Sequence, residues 1–249
     1  MNYWDFPRCR EAFARGQKDA RPEEHDGCYY RRRGRTTKHY TLLSFEDPLK
    51  AWKQLWQFRQ DGARIQCVNY TSPNVEKCAA TMGEYIKKGP IEWEVESFPT
   101  MVEQATGPHA KRLRQLQRDI TVDYFPGSNA AFEVFKIWEQ WARGRHFMVF
   151  KGHYLKWLEM YFDERGNCNL VGVVKKGKLE GIFGWETCGD LVQITIAKHT
   201  SDLQGKELWV AGLKAIGNKK VLCGSTADKL KSELGLTPKE SWTFDLSKI

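Results

Sequence analysis

Two side chains in the last third of the sequence could move protons, Glu186 and His199. An imidazole has an ordinary pKa close to neutral pH, so His199 can take up and release a proton under physiological conditions. A carboxylate such as Glu186 can act as a general base when it lies within hydrogen-bond reach of the proton that it removes. The alternatives are structural: a solvated hairpin residue for Glu186 and an ordinary strand-end histidine for His199.

The residues after His199 predict a site for an anion. The segment 201–206 reads Ser-Asp-Leu-Gln-Gly-Lys and opens a predicted helix. The first turn of a helix has unpaired backbone N–H groups and a partial positive charge, and both attract phosphate. Gln204, Gly205 and Lys206 lie at this position, and Ser225 lies at the start of the next predicted helix. The alternative is a helix start that binds nothing.

Two clusters of basic residues predict contact with a polyanion. The chain has a net charge of +8, from 39 basic and 31 acidic residues. Such an excess favours polyanionic partners through long-range attraction and counterion release. The first cluster consists of Arg31, Arg32, Arg33 and Arg35, and the second of Lys111, Arg112, Arg114 and Arg118. The alternative is that both are solvated basic surfaces.

The C-terminal part of the sequence predicts the element order β-β-β-α-β-α-β. Residues 168–199 contain three short strand-like runs, which Lys176-Gly177 and a Cys-Gly-Asp turn separate, as in an antiparallel meander. The helix LQGKELWVAGLKAIG, the strand KKVLCG, the helix STADKLKSELG and a closing strand ESWTFDLS follow. Ser225 and Thr226 are predicted to cap the last helix, which ends at Gly235.

The preceding part alternates strands and helices. Residues 1–26 predict a short helix and a loop. A β-α-β-α-β order then follows, with strands in HYTLLSF, RIQCVNYT and IEWEVESFP and helices in PLKAWKQLWQFRQDG and residues 74–88. Three more helices are predicted, a basic one over residues 108–119 and aromatic ones over 129–141 and 153–162, with a strand in VDYFPGS after the first.

The order of the C-terminal elements resembles the core of the GNAT (Gcn5-related N-acetyltransferase) superfamily. In that superfamily a central strand and the helix after it splay from the next parallel strand, which leaves a slot for the acyl donor. The corresponding strands here are residues 191–198 and 220–224. The superfamily pattern at this turn is Gln/Arg-x-x-Gly-x-Gly/Ala, and the sequence has only Gln204-Gly205-Lys206 in its place. Because the other glycine-like positions are missing, the backbone has less room to approach the phosphates of a donor.

This resemblance implies roles for several residues. Glu186 would be the base, because the acceptor channel of the fold opens beside its strand, and His199 would assist proton transfer. The backbone amides of Ile196 and Ala197 would stabilise the oxyanion. Residues 204–206 and Ser225 would bind the donor.

A second resemblance covers residues 37–246. The path from IEWEVESFP through TGPHAKRLRQLQRDI is similar to the C-terminal domain of phosphatidylglycerol lysyltransferases, at Gly107, Lys111, Arg112 and Arg118. That family and the related Fem transferases move an aminoacyl group from a charged transfer RNA, and their first half is a degenerate GNAT copy. The implied organisation is a peripheral segment 1–36, a degenerate GNAT-like half 37–110 and a GNAT-like acyltransferase domain 111–249.

The sequence therefore predicts a mixed α+β, GNAT-like, tandem protein. The expected activity is transfer of an acyl or aminoacyl group from acyl-CoA or aminoacyl-tRNA to an amine or hydroxyl. A nucleic acid is one of the acceptors left open, as for a phage-encoded DNA-modification protein that also resembles GNATs. The alternative is a non-catalytic protein that binds DNA or tRNA on a GNAT scaffold.

The composition excludes other classes. With 41% hydrophobic residues the chain can form a core, and it has no apolar run long enough to span a membrane and no signal-peptide pattern. We therefore expect a cytoplasmic protein. Seven cysteines without a C-x-x-C pair predict reduced thiols. His146 and His153 lack further ligands at a suitable spacing, so no metal is expected.

Overall fold

The computed structural model describes residues 20–34, 38–68, 70, 82–118, 120–124, 130–143 and 168–249. The chain divides into two compact units, Met1–Glu92 with Lys239–Ile249, and Trp93–Pro238. The boundaries after residues 36 and 110 are predicted from a resemblance between sequence segments, not from compact units. They stay predictions.

The first unit contains a four-stranded sheet and one long helix. Its elements are β1 (Arg21–His25), β2 (Cys28–Arg33), β3 (His39–Phe45), α1 (Pro48–Gln60), β4 (Arg64–Cys67) and β5 (Ile86–Lys88). The sheet order is β1-β2-β3-β4, and only the β3–β4 pair is parallel. The chain returns to this unit at its C-terminal end, where β13 (Trp242–Phe244) pairs antiparallel with β5 and a 3-10 helix (Leu246–Lys248) follows.

The second unit is built on a seven-stranded mixed sheet. Its elements are β6 (Glu92–Val95), α2 (Phe98–Gln104), α3 (Gly107–Gln115), β7 (Ile120–Tyr124), α4 (Ala130–Arg143), β8 (Cys168–Lys175), β9 (Lys178–Cys188), β10 (Leu191–His199), α5 (Gly205–Ile216), β11 (Lys220–Gly224), α6 (Asp228–Glu233) and β12 (Thr237–Lys239). The sheet order is β12-β6-β11-β10-β9-β8-β7.

The predicted meander is confirmed as β8, β9 and β10. Lys176 and Gly177 join the first two strands with φ angles of 52° and 76°, the left-handed conformation that a tight hairpin turn requires. The middle strand, β9, pairs antiparallel with β8 on one side and with β10 on the other, in the expected order.

Helices cover both faces of this sheet. On one face, Leu113 of α3 and Trp209 of α5 join a core with Phe183 of β9. On the other face, α4 packs against a separate core that contains Ile182 and Ile196. The strands in the middle of the sheet are therefore buried on both sides, which explains their almost continuous apolar sequence.

Several predicted elements are wrong. Residues 21–25 form β1 rather than a loop, because the Asp26-Gly27 turn folds them onto β2. Residues 86–88 form β5 rather than the end of a helix, because they pair with β13. The rest of that predicted helix lies mostly outside the described residues, as does the one over 153–162.

The predicted cap of α6 is also wrong. The helix begins at Asp228, and its N-cap is Ala227 at a φ of 62° without a capping side chain. Ser225 and Thr226 precede this position, so neither hydroxyl caps the helix. Gly235 follows the helix at a φ of 78°, which confirms its predicted role as the terminating residue.

Replacing Gly212 with alanine should destabilise the second unit. A Cβ at this position of α5 would lie 2.3 Å from two ring carbons of the buried Phe183. Overpacking of this kind costs about 1–3 kcal/mol, which outweighs the roughly 1 kcal/mol that alanine gains over glycine in a helix. Urea unfolding should show a lower midpoint for Gly212→Ala than for Lys214→Ala, an exposed change on the same helix. An increase in stability would contradict this packing.

Candidate functional site

Strands β10 and β11 pair along only part of their length. Three residue pairs join them in parallel register: Leu191 with Lys220, Val192 with Val221 and Gln193 with Leu222. Beyond Gln193, β10 continues to His199 and pairs with β9 alone among the described strands. The predicted splay between residues 191–198 and 220–224 is thus confirmed. We call residues 194–199 the open edge of β10.

A β-bulge lies at the start of the open edge. The register between β10 and β9 shifts between Ile194 and Ile196, so Thr195 is an extra residue. Val192 and Ile194 pack on the α5 face of the sheet, whereas Ile196 packs on the α4 face. A bulge bends a strand and increases its twist, so it turns β10 at the point where β11 leaves it.

A buried lysine stabilises the place where the strands separate. Lys231 of α6 is 0% exposed, and its Nζ donates to the carbonyl oxygens of Cys223 and Gly224 at 2.6 Å each. Both residues follow Leu222, the last β11 residue that pairs with β10. The ammonium therefore satisfies backbone acceptors that a continuing β10–β11 ladder would otherwise help to cover.

His199 ends the open edge and has a defined tautomer. Its Nδ1 lies 2.7 Å from the carbonyl oxygen of Thr200. A carbonyl oxygen can only accept, so Nδ1 carries the hydrogen and Nε2 of the neutral ring keeps its lone pair. Nε2 is 3.6 Å from the position that a Cβ would take at Gly205. The backbone of Gly205 therefore lies close beside the basic nitrogen.

A buried carboxylate that the sequence did not reveal holds the residue after His199. Glu180 is 7% exposed, its carboxylate accepts a hydrogen bond from the Thr200 hydroxyl, and its carbonyl accepts from the Thr200 amide at 2.9 Å. The register between β8 and β9 shifts here, which makes Glu180 a bulge residue that points into the protein. Its position in a hairpin strand gives no signal of this role in the sequence.

Glu186 lies at a different level of the sheet. It is 2% exposed, so it is not a solvated hairpin residue, and it sits opposite Gln193 of β10 and Cys168 of β8. Gln193 precedes His199 by six positions, which corresponds to roughly 20 Å along a strand. The structure therefore does not bring Glu186 and His199 to one reacting atom.

The start of α5 already engages protein groups. The carboxylate of Glu207 accepts from the amide of Gln204 at 2.7 Å and from Lys175 Nζ at 2.8 Å. Lys206 forms an ion pair with Glu233. These contacts place a carboxylate where a phosphate of a donor was expected.

Gly205 is needed for packing at the same helix start. A Cβ at Gly205 would lie 2.7 Å from Cδ1 of Leu230, so the glycine allows α5 and α6 to approach closely. The short Gln-Gly-Lys motif thus has structural roles. Ser225 lies half-buried between β11 and α6, and its role in donor binding stays a prediction.

The basic residues of β2 do not form one surface patch. Arg31 is 4% exposed and donates to Thr41 Oγ1 at 3.2 Å. Burial, with a smaller contribution from Arg33, lowers the pKa of Arg31 to about 10. Arg32 forms an ion pair with Glu23, and Arg35 lies outside the described residues. Because neighbouring side chains on a strand point to opposite faces, the cluster is divided.

The second basic cluster is on the surface. Lys111, Arg112 and Arg114 of α3 and Arg118 in the turn after it are all exposed. A cavity of about 350 Å³ lies beside the end of this segment, lined by residues 116–117 and 120–122 and by Ala211, Lys214 and Ala215. It includes no residue of β10 or β11, so it is separate from the open edge.

Two further properties concern metal binding and membrane-spanning helices. Within the described ranges, no group of three or more histidine, cysteine, aspartate or glutamate side chains could hold a metal ion. In the same part of the chain, no helix combines the length and the apolar character needed to cross a membrane.

The chain shares its fold with several solved structures. The C-terminal domain of a putative lysylphosphatidylglycerol synthetase from Agrobacterium fabrum superposes with a TM-score of 0.64 at 14% identity, over 97% of this chain and 87% of that one. L-PGS from Bacillus licheniformis gives 0.60 at 13% identity, over 90% and 83%. FemX gives 0.58 at 8% identity, over 97% and 92%.

Sequence comparisons give no match: no family model and no curated protein matches the chain. The structural likeness shows that the protein has a GNAT-like fold with a mixed α+β architecture.

Replacing Lys231 with methionine should destabilise the second unit by about 2 kcal/mol or more. The substitution keeps much of the apolar volume but leaves the carbonyls of Cys223 and Gly224 without their donor, and each unsatisfied buried acceptor costs about 1–3 kcal/mol. The matched control is Lys229→Met on the exposed side of α6, with an expected change within roughly 0.5 kcal/mol. Equal unfolding midpoints for the two variants in urea would show that Lys231 does not support the strand separation.

Proposed function

We propose that the protein is an acyltransferase that accepts its donor at the open edge of β10 and passes the acyl group to an amine or a hydroxyl. The observation that supports this function is the pairing of β10 with β11 over three residues only. A strand edge in the middle of a sheet offers backbone groups to an extended donor, which a closed ladder would not.

The donor that fits best is an aminoacyl-tRNA. An acyl-CoA would need an anion site for its pyrophosphate, and the expected one, at the start of α5, is occupied by Glu207 and its partner Lys175. Lys206 is likewise engaged by Glu233. The similar structures named for lysylphosphatidylglycerol synthesis and FemX support the same choice, since the families that this sequence resembles use charged transfer RNA.

His199 is the proposed proton acceptor. The acceptor amine attacks the ester carbonyl carbon, a C–N bond forms, and the C–O bond to the terminal ribose breaks. The proton lost by the amine goes to Nε2 of His199, which returns it to the departing ribose oxygen. Ile196 and Ala197 both lie in the open edge, and the backbone amide of these two that does not bond to β9 is the proposed donor to the oxyanion.

Glu180 and Thr200 are proposed to position His199. Thr200 receives one hydrogen bond from the His199 ring and gives two to Glu180, so the residue that binds Nδ1 of His199 is itself fixed by Glu180. Glu186 is too far along the strand to share a proton with His199, so it is not part of the proposed proton transfer.

A non-catalytic nucleic-acid-binding protein is the second candidate function. The occupied start of α5 favours it, because a chain that had lost donor binding would have no anion site to maintain. Within the acyltransferase proposal, the acceptor is still open. A DNA acceptor, as in phage-type DNA modification, can be tested in the same assay as small amines and hydroxyl compounds.

Transfer from radiolabelled aminoacyl-tRNA to a panel of small amines, hydroxyl compounds and DNA should be faster with the protein than without it. His199→Gln should lower the rate constant for transfer by about 10²–10⁴-fold while leaving donor affinity within a few-fold, because glutamine cannot take up the proton. The control His25→Gln changes an exposed histidine of β1 and should keep the full rate.

Three results would count against this proposal. Transfer from acetyl-CoA, with no transfer from charged tRNA, would exclude aminoacyl-tRNA as the donor. A full rate in His199→Gln together with a large loss in Glu186→Gln would move the base to Glu186. Binding of charged tRNA with no transfer to any acceptor would favour the non-catalytic protein.

A further inference from the structure

Helix α3 presents a row of positive charge to solvent. Lys111, Arg112, Arg114 and Arg118 are all exposed, while Leu113 between them is 1% exposed and joins the core. At 100° per residue, Lys111, Arg112 and Arg114 fall within an arc of about 160° centred opposite Leu113, and Arg118 follows in the turn after the helix. We call these four residues the α3 stripe.

The α3 stripe is neutralised only in part, by the carboxylate of Glu233 near Arg112. Within the described residues, none of its four side chains makes an ion pair or a hydrogen bond. Like charges three or four positions apart on a helix repel one another. A polyanion that lies along this face would remove the repulsion and release its own counterions at the same time.

The α3 stripe leads toward the open edge of β10. The carboxylate of Glu233 has its pKa lowered by a hydrogen bond from Lys206 and by the charges of Lys206, Lys229 and Arg112, so these cations surround one group. Lys206 lies in the first turn of α5, next to Gly205, whose Cα faces the His199 ring. Charge and packing contacts thus lead from Arg112 of α3 through Glu233 and Lys206 to Gly205 and the proposed base.

We propose that the α3 stripe binds the sugar–phosphate backbone of the RNA that carries the acyl donor, and directs its aminoacylated end to His199. The inference rests on the proposed function for the identity of this polyanion. Exposed, unpaired lysines and arginines suit a phosphate backbone, which they contact without reading its sequence. The basic residues of β2 do not compete for this role, because Arg31 is buried and Arg32 is paired.

The test uses a triple variant of the α3 stripe, Lys111→Ala/Arg114→Ala/Arg118→Ala. The matched control is Lys38→Ala/Lys50→Ala/Lys53→Ala, which removes the same charge from exposed positions of the first unit. Circular dichroism and thermal melting establish that both variants fold. Fluorescence anisotropy with uncharged tRNA, from 50 to 250 mM KCl, then measures affinity and its salt dependence in the full chain.

The stripe variant should bind tRNA at least tenfold more weakly than the unmodified protein at 100 mM KCl. Its plot of log affinity against log salt should be shallower by about 2–3, close to one per lost phosphate contact, and the control should stay within about twofold. Equal losses in the two variants would overturn the proposal, because net charge alone would then explain binding. Equal affinity for a DNA duplex of the same size would overturn the assignment to RNA.

Failure of this inference and failure of the proposed function have different signatures. If aminoacyl transfer proceeds at full rate and unchanged KM in the stripe variant, the α3 stripe is not the donor surface and the acyltransferase stands. If tRNA binding depends on the α3 stripe but no acceptor is modified, the binding surface stands and the acyltransferase fails.

Discussion

The separation of β10 from β11 is the constraint on which the other features of the site depend. Backbone groups in the middle of a sheet need partners, so two strands that part there leave polar groups to be satisfied by other means. Two features of the protein support the separation. The bulge at Thr195 turns β10 away, and the ammonium of Lys231 covers the carbonyls at the end of β11.

The same separation determines where chemistry can occur. It leaves residues 194–199 of β10 paired with β9 alone among the described strands and ends at His199, whose ring is fixed by Thr200 and, through it, by Glu180. The helix that follows is fixed separately, because Glu207 and Lys175 close its first turn. The strand opening is thus combined with an internal ion pair at the start of the next helix.

Much of the fold could be predicted from local patterns. Lys176-Gly177 identified a hairpin because a tight turn requires the left-handed backbone that glycine adopts freely. The helix α5 followed from its apolar period. The strand opening was expected from the order of elements, through a resemblance, and not from any residue at the opening itself.

The remaining features depend on tertiary contacts that leave no local pattern. Val192, Ile194 and Ile196 alternate perfectly in the sequence, yet the bulge puts Ile196 on the opposite face. Lys231 resembles any surface lysine of a short helix, and its burial arises from packing between α6 and α5. Strand β5 forms because β13 returns to pair with it, a contact between segments more than 150 residues apart.

Amide hydrogen exchange of β10, followed by NMR with and without a non-hydrolysable aminoacyl-tRNA analogue, tests the strand opening most directly. The account predicts slow exchange throughout residues 191–193, faster exchange at those amides of residues 194–199 that do not bond to β9, and slowing of these same amides on addition of the analogue. Uniformly slow exchange along the whole strand, unchanged by the analogue, would show that the sheet is closed and would contradict the proposed site.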